Sequence, residues 1–157
     1  MNIVELVQWS KDKARPFIAG LDCTLTPLFD LMIRFYVAEA FFKSGLTKIQ
    51  DWSVTLALFE HEYRVPFLPI PLAAAMGTAG ELILPILLAL GLAGRFGAAG
   101  LLVVNAMAVI SYPDLSDLGL QHHILWGVML LVTLLHGPGR WSVDAWLARR
   151  FTSPRLG

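Results

Sequence analysis

Eight residues stand inside or at the margins of long apolar runs where polar chemistry is costly: Arg34, Glu39, Lys43, Lys48, Glu81, Asn105, His123 and Trp126. Carboxylates such as Glu39 or Glu81 can carry protons, and His123 or Trp126 can hold a flat ring by hydrogen bonding or stacking. Arg34, Lys43 and Lys48 supply fixed positive charge, and Asn105 both donates and accepts. Together they admit a polar pocket for the head group of a small ligand. They equally admit a set of structural ion pairs, since Asp30 lies one turn before Arg34 and Glu39 one turn before Lys43.

Depth separates these residues into two layers. A rise of about 1.5 Å per residue brings Arg34, Glu81 and Asn105 near mid-membrane, with Glu39, Lys43 and His123 nearer the outer face. An ionisable group at bilayer depth costs roughly 2.5–3.5 kcal/mol, so Arg34 and Glu81 are the expected ion pair. Pro85 adds to this, because a helical proline leaves the carbonyl four residues earlier, that of Glu81, without its usual donor.

His61, His122 and His123 are the weak candidates for a metal, with Asp114 nearby in sequence. Adjacent helical residues point about 100° apart, and no third ligand has a recognisable spacing, so no metal site is expected. Cys23 is the only cysteine, which excludes an internal disulfide and a CxxC redox pair. No two histidines share a depth suited to axial haem ligation. Met76, Met107 and Met129 fall singly on three spans and read as packing residues. His136 reads as a helix C-terminal residue before the Gly137-Pro138-Gly139 stop, while Ser142 and Asp144 read as capping the helix that follows.

The elements that must position these side chains are membrane helices. The 157 residues are 56% hydrophobic and 15% charged, against roughly 45–50% and about 25% in soluble domains. Apolar runs predict four spans, at about 27–43, 71–92, 97–112 and 119–136, each near the length a bilayer requires. The fold class is therefore an all-α membrane protein, a four-transmembrane-helix bundle forming a single domain over 1–157. Interfacial helices are expected at both ends, one over residues 3–9 and one after Ser142. Residues 51–64 read as an amphipathic connection at the water interface.

Twelve basic and twelve acidic residues give no net charge and no case for nucleic acid. Lys11, Lys13, Arg15, Arg95, Arg140, Arg149, Arg150 and Arg155 fall on one side of the four spans, which predicts both termini in the cytoplasm and a bacterial inner-membrane location. Small residues at the start of the third span permit helix association within or between chains, so a homo-oligomer is allowed.

The segments RFYVAEAFFKSGLTKI (34–49), GTAGELILPILLALGLAGRFGA (77–98) and HHILWGVMLLVTLLHGPGRWSVD (122–144) resemble the DoxX family of small bacterial membrane proteins. The resemblance rests on the order of modest motifs: Arg34 followed by Gly45 and Lys48, then Glu81, then Gly91, Leu92 and Arg95, then the closing Gly-Pro-Gly-x-x-Ser-x-Asp. It implies a four-helix membrane fold and a place in redox or stress-response assemblies, some of which reduce quinones. FFKSGLTKIQDWSVTLALFEHEYRVPFLP also looks like members that accompany bufferin-type, metal-responsive gene clusters, which make modified copper-binding peptides.

Two functions follow as expectations. In one, the chain is the quinone-binding membrane subunit of an oxidoreductase whose redox centre sits on a protein partner, since the chain is unconvincing as a stand-alone enzyme. In the other it is a non-enzymatic anchor, assembly factor or transporter component for a metal or oxidative-stress partner, with 51–64 as its recognition surface.

Overall fold

The computed structural model describes residues 2–151, the side chains at 3–7, 10–13, 17 and 18 excepted. The chain forms α1 (Ile3–Gln50), α2 (Trp52–His61), α3 (Ile70–Leu90), α4 (Gly94–Ser111), α5 (Asp117–His136) and α6 (Val143–Phe151). Among the described residues, four helical stretches are long and apolar enough to cross a membrane: Ala14–Gln50, Ile70–Leu90, Gly94–Ser111 and Asp117–His136. An even number of crossings returns the chain to the side from which it started. One end of the bundle therefore carries α2 and the other α6.

α1 is one uninterrupted helix of 48 residues. The helix expected over 3–9 is its first part, with Trp9 exposed and the side chains of Ile3, Val4, Leu6 and Val7 outside the described residues. Its other end also passes the expected boundary. Lys43-Ser44-Gly45 does not end the helix, because Gly45 is buried against α3, where a Cβ would stand 2.9 Å from the Leu82 side chain and 3.1 Å from the backbone of Glu81. Close approach there holds α1 straight on to Gln50 and keeps Lys48 inside the protein.

α1 packs mainly on α3 and also on α5, while α4 lies between α3 and α5. The contacts meet in a core of Val37, Ala38, Phe41, Leu88, Ala98, Leu101 and Leu130. Lipid is as apolar as these side chains, so close van der Waals fit rather than escape from water holds such a core together. α2 has ten residues, too few to cross. Asp51 caps it by accepting from Val54 N–H, and the Ser53 hydroxyl, donating to the same carboxylate, holds Asp51 below the usual carboxylate range. Its inner face, with Phe59, rests on Ala73 and Ala74 of α3.

The α3–α4 turn depends on Gly91, whose φ of +63° ends α3 in a left-handed cap closed by a Leu92 N–H bond to the Leu87 carbonyl at 3.0 Å. A Cβ at Gly91 would also collide with Arg34 and Ser142. Asp144 caps the next helix in space rather than its own. Its two carboxylate oxygens accept from Ala93 N–H at 2.8 Å and Gly94 N–H at 2.9 Å, satisfying orphan donors at the start of α4. Ser142 does cap α6, accepting from Ala145 N–H at 3.2 Å.

Candidate functional site

Arg34 and Glu81, the expected pair, do not meet. Arg34 donates to the carbonyls of Ala89 at 2.9 Å, Leu88 at 3.4 Å and Trp141 at 2.5 Å, at the α6 end. Glu81 lies about two helical turns farther from that end of α3, and its partner is Lys48, with Nζ to Oε2 at 2.5 Å. The expectation failed because it aligned α1 by its apolar run. α1 continues past that run, so Lys48 rather than Arg34 comes level with Glu81.

The remaining candidates regroup as well. Asn105 joins His123 instead of the Arg34 layer: its amide donates to the His123 carbonyl at 2.9 Å, and its oxygen lies 2.8 Å from His123 Nδ1. Trp126 packs edge-on to His123 and Phe41 and is stacked with His122. Glu39 and Lys43 form their local pair at 2.6 Å, both largely exposed on α1 and away from His123. His61 is exposed at the end of α2. Among the described residues no group of three or more His, Cys, Asp or Glu side chains is placed to hold a metal ion. His136 sits in the last turn of α5, with Nδ1 3.2 Å from the Val132 carbonyl.

Lys48 and Glu81 instead form the polar wall of a cavity of about 470 Å³ between α2, α3 and α4. Its other walls are largely apolar and include Phe59, Val65, Met76, Val103 and Met107. Within this lining, Tyr63 and Ser111 add two hydroxyls. Sequence reading missed both. Tyr63 reads as an ordinary interface anchor, and nothing in the pattern separates Ser111 from any residue ending a helix.

Lys48 donates to Glu81 and to Ser44 Oγ at 2.9 Å, which uses two of its three ammonium hydrogens. Both side chains of the pair are only about a tenth exposed. Ser111 is 2% exposed, and its Oγ has no hydrogen-bond partner. A buried hydroxyl without a partner is unfavourable by about 1–3 kcal/mol, and this one lines the chamber. Tyr63 is held between Phe59 and Tyr112, with ring centroids at 4.9 and 5.3 Å. Burial first, and then the Glu81 charge, push its phenol up, so it remains a neutral hydroxyl. The chain from α2 to α3 is tied across this end by Arg64 N–H donating to the Ser111 carbonyl at 2.7 Å.

The lining of the cavity thus includes a cation, a carboxylate and two hydroxyls among largely apolar walls. That arrangement suits a lipophilic molecule bearing carbonyl or hydroxyl oxygens. A wider groove of about 610 Å³ at the α6 end is lined by Asp30, Arg95, His136 and Asp144 among others. There Asp144 serves the α4 cap, Arg95 donates to the Leu135 carbonyl and His136 meets the Val132 carbonyl.

Comparison with known proteins places this architecture. A protein of Haemophilus influenzae described as uncharacterized is 34% identical over 125 residues, covering 73% of this chain and 80% of the relative. No solved structure gives a significant match. The DoxX family pattern matches residues 29–113, from the buried part of α1 through the close of α4, and the chain belongs to the DoxX family.

Proposed function

We propose that this chain is the ligand-binding membrane subunit of a redox assembly, and that its ligand is a quinone held in the cavity beside Lys48 and Glu81. The observation that carries the reading is the combination of a buried Lys48–Glu81 pair with an unpartnered Ser111 hydroxyl, both facing one apolar chamber. A quinone carbonyl accepts hydrogen bonds and cannot donate them. Lys48 has one ammonium hydrogen to spare, and the Ser111 and Tyr63 hydroxyls are further donors. The chamber's size falls within the roughly 300–1,000 Å³ typical of small-ligand sites.

Reduction of a quinone consumes two electrons and two protons. The sequence holds a single cysteine and no two histidines at a depth suited to axial haem ligation, and in this reading the electrons come from a partner protein. Glu81 is the group placed to pass protons, and Lys48 steadies its carboxylate between transfers. In this reading the chain lies in a bacterial inner membrane with both termini in the cytoplasm, because Arg95, Arg140, Arg149 and Arg150 gather at the α6 end. The cavity then opens in the half of the membrane away from the cytoplasm.

A direct test is titration of the protein in lipid nanodiscs with a short-chain ubiquinone, followed by Tyr63 and Trp fluorescence. Saturable quenching is expected, weakened about fivefold by Ser111→Ala for one neutral hydrogen bond of about 1 kcal/mol. Quenching that rises linearly without saturation, unchanged by Ser111→Ala, defeats the proposal. A second reading, an anchor for a partner protein, is favoured by the exposed Glu60, His61 and Glu62 at the end of α2, of which Glu62 also hydrogen-bonds Tyr112. Loss of partner capture on changing these three residues, with Glu81→Gln silent, selects that reading.

A further inference from the structure

The Glu39–Lys43 pair lies within the membrane-crossing part of α1, yet it points away from the rest of the chain. Its level is bracketed on both sides. Below it Arg34 reaches the Leu88 and Ala89 carbonyls of α3, and above it Gly45 meets Leu82. Val37 and Phe41, on the opposite face of the same turns, are buried in the core. Glu39 and Lys43 are therefore at hydrocarbon depth, with side chains 62% and 71% exposed. Ionisable side chains inside membranes face protein or water-filled space and seldom lipid. Lys43 is engaged with Glu39 at 2.6 Å and so does not extend towards a membrane surface.

The residues in line with this pair follow a regular spacing. Phe29, Met32, Tyr36, Glu39, Lys43 and Leu46 are separated alternately by three and four positions, and every one of them is exposed. That is the spacing of a left-handed helix–helix seam. Here it runs along a helix face that the chain's own α3 and α5 do not cover.

We infer that this face of α1 is an interface with a second copy of the same chain. The charge pattern selects that occupant. Two copies in one membrane share the same orientation, so a two-fold axis along the membrane normal sets their α1 helices side by side and parallel. The two copies of each residue are then level across the axis, and because Glu39 and Lys43 already bend towards each other, the four side chains meet as a ring of alternating sign, each carboxylate between its own Lys43 and the partner's Lys43. Large apolar residues on either side complete the seam and remove the four charges from lipid. The inference stands independently of what the cavity binds.

Two chains with single changes test it. A Glu39→Lys chain has only positive charge at the seam, and a Lys43→Glu chain only negative. Each alone is expected to run as a monomer in nanodiscs by native mass spectrometry, whereas the wild type runs as a dimer and the two variants mixed restore a heterodimer. An intramolecular role for the pair predicts no such rescue on mixing. In a Cys23→Ser background, Met32→Cys and Leu46→Cys are expected to form disulfide-linked dimers in native membranes, while Ile83→Cys and Val128→Cys on other exposed faces are not. A monomeric wild type, failure of the mixed variants to pair, or cross-linking of Met32→Cys only to a different protein overturns the inference.

Discussion

The two ends of this bundle bury charge in different ways. At the α6 end Arg34 spreads its guanidinium over three carbonyls, two at the end of α3 and one just before α6. Asp144 answers with two bonds to the start of α4, and Asp144 N–H donates to the Gly91 carbonyl at 3.0 Å. Charge there is spent on helix ends, whose orphan carbonyls and amides have no helical partner. At the α2 end Lys48 and Glu81 pair with each other, and space, an unpartnered serine and a phenol surround them. The first region joins helices whose ends would otherwise be unsatisfied. Each end leaves a buried polar atom without a partner, Arg34 Nε at the first and Ser111 Oγ at the second, but Ser111 lines an apolar cavity and Arg34 does not, and this difference distinguishes a clamp from a site.

The sharpest way to break the comparison is Arg34→Met. It strips three carbonyls of a charged donor, each worth about 1–3 kcal/mol when left unpaired. The largest loss of thermal stability is expected here, with no recovery by any single change elsewhere, as read by circular dichroism in detergent. A melting curve unmoved by Arg34→Met contradicts the clamp.

Next in size is Lys48→Met, which leaves Glu81 buried alone. Loss of one partner of a buried pair costs about 3–5 kcal/mol, whereas apolar replacement of both is often neutral. The double variant Lys48→Met with Glu81→Leu should therefore regain the wild-type melting temperature and still bind no quinone. If the double variant melts as low as the single one, the pair belongs with the structural clamp.

A smaller effect is expected from Asp144→Ala, about 1–2 kcal/mol for a lost N-terminal cap. Quinone affinity should not change, because the cavity lies at the other end of the bundle. A matched loss of affinity would show that the two ends act as one unit.

How much of this was legible in sequence follows the same division. The spans were readable because α3, α4 and α5 coincide with long apolar runs, and Gly91 and Gly137 mark turns that need positive φ. The polar residues inside those runs were also visible as residues the fold must accommodate. Their partners were not. Arg34 finds backbone carbonyls, which carry no side-chain signature. Lys48 meets Glu81 because packing at Gly45 carries α1 beyond its apolar stretch. Asp144 caps a helix distant in sequence, and Ser111 acquires meaning only once α2 and the chain after it enclose its hydroxyl. Pairing in a membrane bundle depends on helix register, and register is set by close contacts that hydropathy does not encode.

The most direct measurement is extraction and mass spectrometric quantification of quinone carried by protein purified gently from native membranes, comparing wild type with the Lys48→Met, Glu81→Leu double variant. Near-stoichiometric quinone on the wild type, and only the background of bulk lipid on an equally stable double variant, is the expected result. Equal quinone on both would contradict the assignment of this cavity as the binding site.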